Sequence, residues 1–315
     1  MDYLSKEQTN RIKGILCLMV VFGHSMNGYL ELVGPWAVSV FFLLSGYALS
    51  YTSSKAEITP KFIVRKYKNI LLPYLVAAVC YHLLFWIYPS ANNYNSIGGL
   101  VKSYLVFTPT VQAGWYIEAT AILFAFYFIA RKIAGDNPKK LLISFAVLYV
   151  IFAVIVAFTE GYWVIRNMHC FILGVALHLF RKTIDAKFTS KDTFRYVALI
   201  VIAITLVLPN YFYADENLAS NLVLFATYTM APIVFIYVSN SISFKGKILD
   251  FLGKYSLWIY LFHVGVQYLL FSSVLAGKSL QTFVFFLLSL ALTLVIAIPV
   301  GMIYNKISKK KVSSL

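Results

Sequence analysis

Apolar stretches about 20 residues long recur along the whole chain, separated by short polar segments. An α-helix of that length crosses the hydrocarbon core of a bilayer. The pattern predicts ten spans, over residues 12–30, 33–52, 70–89, 115–132, 140–158, 163–180, 196–213, 219–240, 255–275 and 280–304. We therefore expect an all-α polytopic membrane protein in which residues 1–315 form one integral-membrane domain, with no separate soluble domain.

The positive charges support this number of spans. The net charge is +15, and the lysines and arginines fall in short clusters between the apolar stretches. With the N-terminus inside, every second connection is also inside, and all but three of the 27 Lys and Arg residues then lie on the cytoplasmic side. The three exceptions are Lys102, Arg166 and Lys278. The alternation predicts ten spans with both termini in the cytoplasm.

Composition excludes other classes of protein. The chain is 60% hydrophobic and 12% charged, which a soluble core of 315 residues could not hold. Its basic clusters follow the spans, so they indicate topology and not nucleic-acid binding. The first span lacks a small-residue cleavage site and should remain in the mature protein. No Cys or His pair has metal-ligand spacing, so neither a metal site nor a disulfide framework is predicted.

The first span carries two ionisable residues on one helical face. Lys13 and His24 are eleven residues apart, which is about 20° more than three full turns and roughly 16 Å along the axis. Arg11 is about 220° away from His24 and faces elsewhere. Because an ionisable group inside the bilayer is costly, His24 is a functional-site candidate. The alternative is a histidine that only forms a hydrogen bond between helices.

Other polar residues lie where lipid-facing helices would not place them. Asn27 follows His24 by three positions and shares its face, so it is predicted to orient the ring or bind a ligand. The second span places Ser45, Gly46 and Tyr47 together, where the glycine favours close approach of a ligand or, equally, of another helix. Glu118 lies just inside the fourth span after Trp115, and it is predicted either to orient a histidine or to bind a sugar hydroxyl.

The ninth span contains His263, with Gln267 four residues later on the same face. The remaining histidines, His82, His169 and His178, are better explained as packing or interfacial residues. Arg166 is a candidate for contacting an acceptor substrate or Glu118, and the alternative is an arginine that snorkels to the membrane surface.

A basic run opens the third span on its cytoplasmic side. The sequence FIVRKYKNILLPYL, with the lysine before it, contains Lys61, Arg65, Lys66 and Lys68. These cations could bind the phosphates of a nucleotide-like cofactor or an anionic lipid. They could also serve only as a topology signal. On the outer face, segment 90–114 is rich in Asn, Gly and Ser and is either a re-entrant element or a plain loop.

Several of these stretches together resemble the acyltransferase-3 superfamily of membrane-bound acyltransferases. The first span, KGILCLMVVFGH, has a cation and a histidine separated by the family's ten residues, with Lys13 in the position of an arginine. Further matches are FFLLSGY in the second span, LLPY at 71–74, GWYIEA at the start of the fourth span and SLWIYLFHV in the ninth. Their order extends the resemblance over nearly the whole chain.

The resemblance implies transfer of an acyl group, usually acetyl from cytoplasmic acetyl-CoA, to a hydroxyl of a cell-surface glycan or its lipid-linked precursor. It implies that His24 is catalytic and that Lys13 contacts the donor's phosphates or the acyl chain. The family's Arg-x-x-Arg motif is matched by Arg65 and Lys68, and the lysine loses bidentate phosphate geometry. A bacterial cell membrane is also implied as an expectation. The resemblance leaves open whether the chain completes transfer alone or a separate partner protein does so.

The predicted site therefore has three parts. A histidine has the protonation range to act as a base near neutral pH, and His24 either removes the hydroxyl proton or carries the acyl group transiently. Two alternatives remain, a transporter or an assembly subunit of an envelope polysaccharide machine, and matched broken helices would favour the transporter. The predicted residues are His24 and Glu118 for catalysis, Lys13, Arg65, Lys66 and Lys68 for the donor, and Asn27, Ser45, Tyr47, Trp115, Arg166 and His263 as acceptor-binding or supporting residues.

Overall fold

The described part of the chain is helical. The computed structural model describes residues 5–25, 32–87, 98–99, 101–102, 111–159, 164–181, 183, 200–202, 204–205, 218–241, 246–275 and 281–313. No β-strand occurs among these residues. The predicted seventh span and outer loop fall mostly outside the described residues, and Asn27 does so entirely.

The helices follow the apolar pattern of the sequence. They are α1 (Lys6–Ser25), α2 (Val33–Ser53), α3 (Pro60–Ile87), α4 (Trp115–Ala134), α5 (Pro138–Ala157), α6 (Ile165–Leu179), α7 (Leu218–Ser241), α8 (Lys247–Leu269) and α9 (Thr282–Ser313). A short 3-10 turn, Gln112–Gly114, precedes α4, and α8 continues as one π-helical turn, Leu270–Val274.

Three of the described helices are long and apolar enough to cross a bilayer by length and composition: Val33–Ser53, Pro138–Ala157 and Thr282–Ser308. The chain is thus an all-helical membrane protein. The count of ten spans and the side of the termini stay predictions.

Local sequence signals explain the helix ends. Asn137 caps α5 by accepting hydrogen bonds from the backbone N–H groups of Lys139 and Lys140, and Pro138 occupies the first helical position. Gly135 ends α4 with φ +57°, a left-handed conformation that costs glycine little. The two helices are therefore joined by a tight connection.

Three helix starts lie several residues before the predicted span boundaries. Helix α1 begins at Lys6, whereas its predicted span begins at residue 12. Helix α3 begins at Pro60, so the basic run belongs to its first turns and is not a segment before the helix. Helix α8 begins at Lys247, eight residues before the predicted span. In each case the helix extends beyond its apolar stretch, because an α-helix satisfies its own backbone hydrogen bonds and can continue from the bilayer into water.

The residues group into two compact units. The first unit comprises Met1–Ser5, Pro35–Lys68 and Tyr116–Phe244. Within it, α2 and α6 cross at backbone contact: a Cβ added to Gly46 would lie 2.0 Å from the carbonyl oxygen of Phe171, and one added to Gly174 would lie 2.0 Å from that of Leu43. Gly46 thus serves helix packing, one of the two roles predicted for it.

The second unit comprises Lys6–Gly34, Asn69–Trp115 and Lys245–Leu315. Its central feature is the packing of α1 on α8, again through small residues. A Cβ on Gly253 would lie 1.8 Å from the carbonyl oxygen of Asn10, and one on Gly14 would lie 2.6 Å from that of Leu249. The hydrogen bonds between the two helices advance from Arg11–Asp250 to Ser25–Gln267, so α1 and α8 run parallel, as the predicted topology requires of the first and ninth spans.

Candidate active site

Two histidines that are far apart in sequence lie side by side in the second unit. The ring centroids of His24 and His263 are 5.1 Å apart, with an angle of 50° between the ring planes. His24 is exposed in the last turn of α1, whereas His263 is completely buried in α8. The structure therefore brings together the predicted catalytic histidine and a predicted supporting one.

Hydrogen bonds from α8 to α1 fix the relative position of the two rings. The Gln267 side chain donates to the Ser25 hydroxyl at 2.9 Å and to the carbonyl oxygen of Val21 at 3.1 Å. The Cys17 thiol approaches the carbonyl oxygen of Ser256 at 3.7 Å, about two turns nearer the helix starts. These bonds bracket the histidine pair, so a slide of α1 along α8 would break them.

A third helix holds the turn that carries His263. The Tyr81 hydroxyl, on α3, donates to the carbonyl oxygen of Leu261 at 2.9 Å and accepts from the N–H of Gly265 at 2.8 Å. In a regular helix those two backbone groups bond to each other. The hydroxyl therefore lies between two backbone groups of α8 that would otherwise bond to each other. The tyrosine ring fits because residue 265 is glycine: a Cβ added at this residue would lie 2.5 Å from Tyr81.

Gly34, at the start of α2, borders the exposed side of the catalytic candidate. A Cβ built on Gly34 would lie 4.0 Å from Cδ2 and Nε2 of His24, which is an ordinary van der Waals distance. The Nε2 edge of the His24 imidazole therefore faces the start of the next helix.

The two cations near the start of α1 have different surroundings. Arg11 forms a two-point ion pair with Asp250 of α8, with Nε–Oδ1 at 2.8 Å and Nη2–Oδ2 at 3.2 Å. Lys13 is half-buried and has no ion-pair or hydrogen-bond partner among the described residues. Arg11 thus joins two helices, while Lys13 stays the cation suited to an outside ligand.

Predicted residues of the first unit form a separate hydroxyl pair. The hydroxyls of Ser45 and Tyr116 are 2.8 Å apart, and the Tyr116 hydroxyl also donates to the carbonyl oxygen of Phe41 at 3.3 Å. Glu118 is half-buried in the first turn of α4, where the helix macrodipole favours a carboxylate. Trp115, which belongs to the second unit, is the half-buried first residue of the same helix.

Where α2 ends in the first unit, tyrosine rings and cations meet. Tyr47 and Tyr51 stack with ring centroids 6.3 Å apart, and the His178 ring meets both edge-on at 5.6 and 5.8 Å. Arg181 donates to the Tyr47 hydroxyl at 3.3 Å, and the Lys55 ammonium lies 4.0 Å from the Tyr51 ring centroid. We call the following group the cation–aromatic cluster: Tyr47, Ser50, Tyr51, Thr52, Lys55, Lys66, His178 and Arg181.

The structure divides the predicted basic run. Lys66 donates to the Thr52 hydroxyl at 2.5 Å and so belongs to the cluster, whereas Lys61, Arg65 and Lys68 are exposed. Burial, together with the nearby charge of Arg65, lowers the pKa of Lys66 below the usual lysine value. One of the four predicted phosphate-binding cations is thus partly desolvated.

The other histidines have the packing roles predicted for them or are exposed. His178 Nδ1 is 2.8 Å from the Ser50 hydroxyl, and His169 Nε2 is 2.8 Å from the Thr229 hydroxyl. His82 is exposed on α3. Arg166 is half-buried in the first turn of α6, and its predicted contact with an acceptor or Glu118 stays a prediction.

Sequence reasoning missed several residues that organise these sites. Lys55 and Arg181 were treated only as inside charges, and Asp250 was not singled out. The available signal was local: Lys55 lies four residues after Tyr51 and eight after Tyr47, which places all three on one helical face if the helix continues. The packing glycines of α1 and α8 gave no distinguishing signal.

Comparison with family models matches the chain to a known domain. A family model described as an acyltransferase domain, that of the acyltransferase-3 family, matches residues 9–302. No curated protein and no solved structure gives a significant match. The matched range contains the histidine pair and every residue of the cation–aromatic cluster.

Proposed function

The chain belongs to the acyltransferase-3 family, and from that premise we propose that it is a membrane-embedded O-acyltransferase. It moves an acyl group, acetyl in the simplest case, from cytoplasmic acyl-CoA to a hydroxyl of a cell-envelope polysaccharide or its lipid-linked precursor. Its location would be a bacterial cell membrane. A separate partner protein could complete delivery to the final glycan.

One observation carries this proposal: two imidazoles from distant parts of the chain lie with ring centroids 5.1 Å apart in a membrane protein. Ionisable residues are expensive in such an environment and are kept there mainly for function. Imidazole also changes protonation state near neutral pH, which suits proton transfer to and from a hydroxyl.

In the proposed reaction, His24 acts as a general base. It takes the proton of the acceptor hydroxyl while that oxygen attacks the thioester carbonyl carbon, forming the new C–O bond. Collapse of the tetrahedral intermediate breaks the C–S bond, and the proton passes from His24 to the leaving thiolate, so the products are the O-acyl ester and free CoA thiol. The exposure of His24 agrees with access for a large substrate.

The donor's phosphate groups are proposed to bind the cations of the cation–aromatic cluster. Arg181, Lys55 and Lys66 supply positive charge close to the end of α2, through contacts with Tyr47, Tyr51 and Thr52. A phosphate oxygen is an anionic acceptor, so its hydrogen bonds to these cations gain the attraction of opposite charges. The exposed Arg65 and Lys68, in the same unit, would add favourable long-range charge. Lys13 stays a predicted contact of the donor.

The test is the O-acetyl content of surface glycans, measured by NMR before and after mild alkaline treatment. Cells would carry the wild-type protein, His24→Ala, His82→Ala or no protein. We expect acetate to be lost in His24→Ala and in the deletion, and kept in His82→Ala, which changes an exposed histidine. Normal acetylation by a correctly inserted His24→Ala variant would contradict the catalytic assignment. An unchanged deletion strain would show that the acceptor is a different molecule.

A further inference from the structure

We propose that His263 is the positioning residue of the site: its Nε2 atom accepts a hydrogen bond from a ring N–H of His24 and so fixes which His24 nitrogen acts as the base. The inference rests on the proposed catalytic role of His24. It gives the His263 imidazole a specific role, which the short distance between the two rings does not establish alone.

The tautomer of His263 follows from its hydrogen bond within α8. Nδ1 lies 2.6 Å from the carbonyl oxygen of Tyr260. A carbonyl oxygen only accepts hydrogen bonds, so Nδ1 must carry the proton. Burying a charged ring without a counter-ion is costly, which favours the neutral form. A neutral ring protonated at Nδ1 presents Nε2 as a lone-pair acceptor.

That acceptor is buried and has no hydrogen-bond partner among the described residues. Buried polar atoms are nearly always satisfied, so an exception calls for a group that arrives or moves. The His24 imidazole is the group that fits, because its ring centroid is 5.1 Å away and it belongs to an exposed side chain at the end of α1. Rotation of the His24 ring about its Cβ–Cγ bond changes which ring atoms face His263.

His263 itself is held in place from two sides. Tyr81 binds the backbone at Leu261 and Gly265, on either side of it, and Gln267 ties the next turn to α1. A fixed acceptor next to a second imidazole is the arrangement in which one ring orients the other. With its proton directed at His263, the His24 ring keeps a lone pair on its second nitrogen, where a hydroxyl proton can be taken.

The first test compares two substitutions in the full-length protein in lipid nanodiscs. His263→Gln keeps an acceptor oxygen near the position of Nε2, while His263→Leu fills similar space without one. Thiol release from acetyl-CoA in the presence of an acceptor glycan extract gives kcat and KM. We expect His263→Leu to lower kcat on the order of 100-fold with KM nearly unchanged, and His263→Gln to recover at least about tenfold of that loss.

A purely structural role predicts the opposite order, because leucine suits a buried apolar position better than glutamine. Equal or higher activity of the leucine variant than of the glutamine variant would therefore overturn the proposal. His169→Leu, which changes another buried histidine, is the matched control and should not reproduce the kcat loss. If His24→Ala retains transfer, the proposed function fails; if only His263→Leu retains it, the present inference alone fails.

A second measurement needs no activity and remains informative if one variant folds poorly. Solid-state ¹⁵N NMR of histidine-labelled wild-type protein and His263→Gln reports the tautomer of each ring. We expect one dominant His24 tautomer in both proteins. In the wild-type protein, His263 should also give an Nδ1–H signal. An even mixture of His24 tautomers in the wild-type protein, or an Nε2–H signal from His263, would overturn the proposal.

Discussion

The histidine pair and the cation–aromatic cluster differ in the electrostatic interaction that each one offers. The pair consists of two rings, one of which leaves a buried nitrogen without a partner among the described residues. The cluster contains three cations and no acidic member, and each cation contacts a hydroxyl or a ring. A single lone pair is useful only at one position and angle, whereas a surplus of charge attracts an anion over several ångströms. The pair should therefore be sensitive to geometry and the cluster to charge.

The largest expected effect comes from a change of geometry at the pair. Gly253→Ala puts a Cβ 1.8 Å from the carbonyl oxygen of Asn10, so α1 and α8 must separate or slide. A displacement of about 1 Å in a catalytic arrangement can lower the rate on the order of 100-fold. We expect kcat to fall by about that factor, with the KM for acetyl-CoA nearly unchanged, in steady-state assays of the purified protein.

The matched control for this variant is Gly174→Ala, which creates a similar conflict between α2 and α6 in the first unit, 2.0 Å from the carbonyl oxygen of Leu43. Its main effect should be on KM. Thermal unfolding in detergent must show that both variants are folded. If the two variants lower kcat equally, the inference that the histidine pair is more sensitive to geometry than the cation–aromatic cluster is wrong.

A change of charge should act on the cluster. Replacing both Lys55 and Arg181 with Gln removes two positive charges while keeping side chains that can form hydrogen bonds. Because a hydrogen bond to a charged group is worth roughly 1.5–3 kcal/mol, we expect the KM for acetyl-CoA to rise on the order of 10-fold or more, with little change in kcat. Binding of 3′,5′-adenosine diphosphate, followed by isothermal titration calorimetry, should weaken in parallel.

The control is Lys61→Gln with Lys68→Gln, which removes the same charge from exposed positions of α3. A comparable rise in KM there would mean that the cations act only through a general surface field. Raising the salt concentration should then abolish the difference between wild-type protein and either variant.

The smallest expected effect is a dependence on pH. The pKa of Lys66 is lowered by burial and by the charge of Arg65, so Lys66 loses its proton at a lower pH than an ordinary lysine. The charged form is the one that binds phosphate. Donor affinity should therefore be full at neutral pH and weaken by about threefold as the pH rises through the lowered pKa.

Lys66→Arg provides the comparison, since arginine keeps its charge throughout this range. The KM for acetyl-CoA in Lys66→Arg should stay level where the wild-type value rises. Identical pH profiles for the two proteins would exclude Lys66 as the titrating group.

Much of the fold followed from the apolar pattern, because an apolar stretch of about 20 residues has few alternatives to a helix in a membrane protein. The helix starts were less predictable. The segment before Asn69 carries four cations and is still helical, since a helix can continue into water after its apolar stretch ends. Hydropathy locates the membrane-crossing part and not the whole element.

The residues of the site were easier to predict than their pairing. His24 and His263 each stood out as ionisable residues within an apolar stretch. Their contact depends on the close approach of α1 and α8, which are separated by more than 200 residues and meet through Gly14 and Gly253. Sequence spacing carries no information about such a register. For the same reason, Arg181 could not be assigned to Tyr47 before the crossing of α2 and α6 was known.

The inserted hydroxyl of Tyr81 affects the local pitch of α8 with little effect on the folding free energy. If it is removed, as in Tyr81→Phe, the freed N–H of Gly265 and carbonyl of Leu261 are already one turn apart in the same helix and can bond directly, so no buried group need stay unsatisfied. Folding free energy would change little, yet the helical turn under His263 would tighten. One oxygen atom thus sets the local helical pitch and, with it, the position of the His263 imidazole. A substitution at this atom can change that position while the protein stays folded.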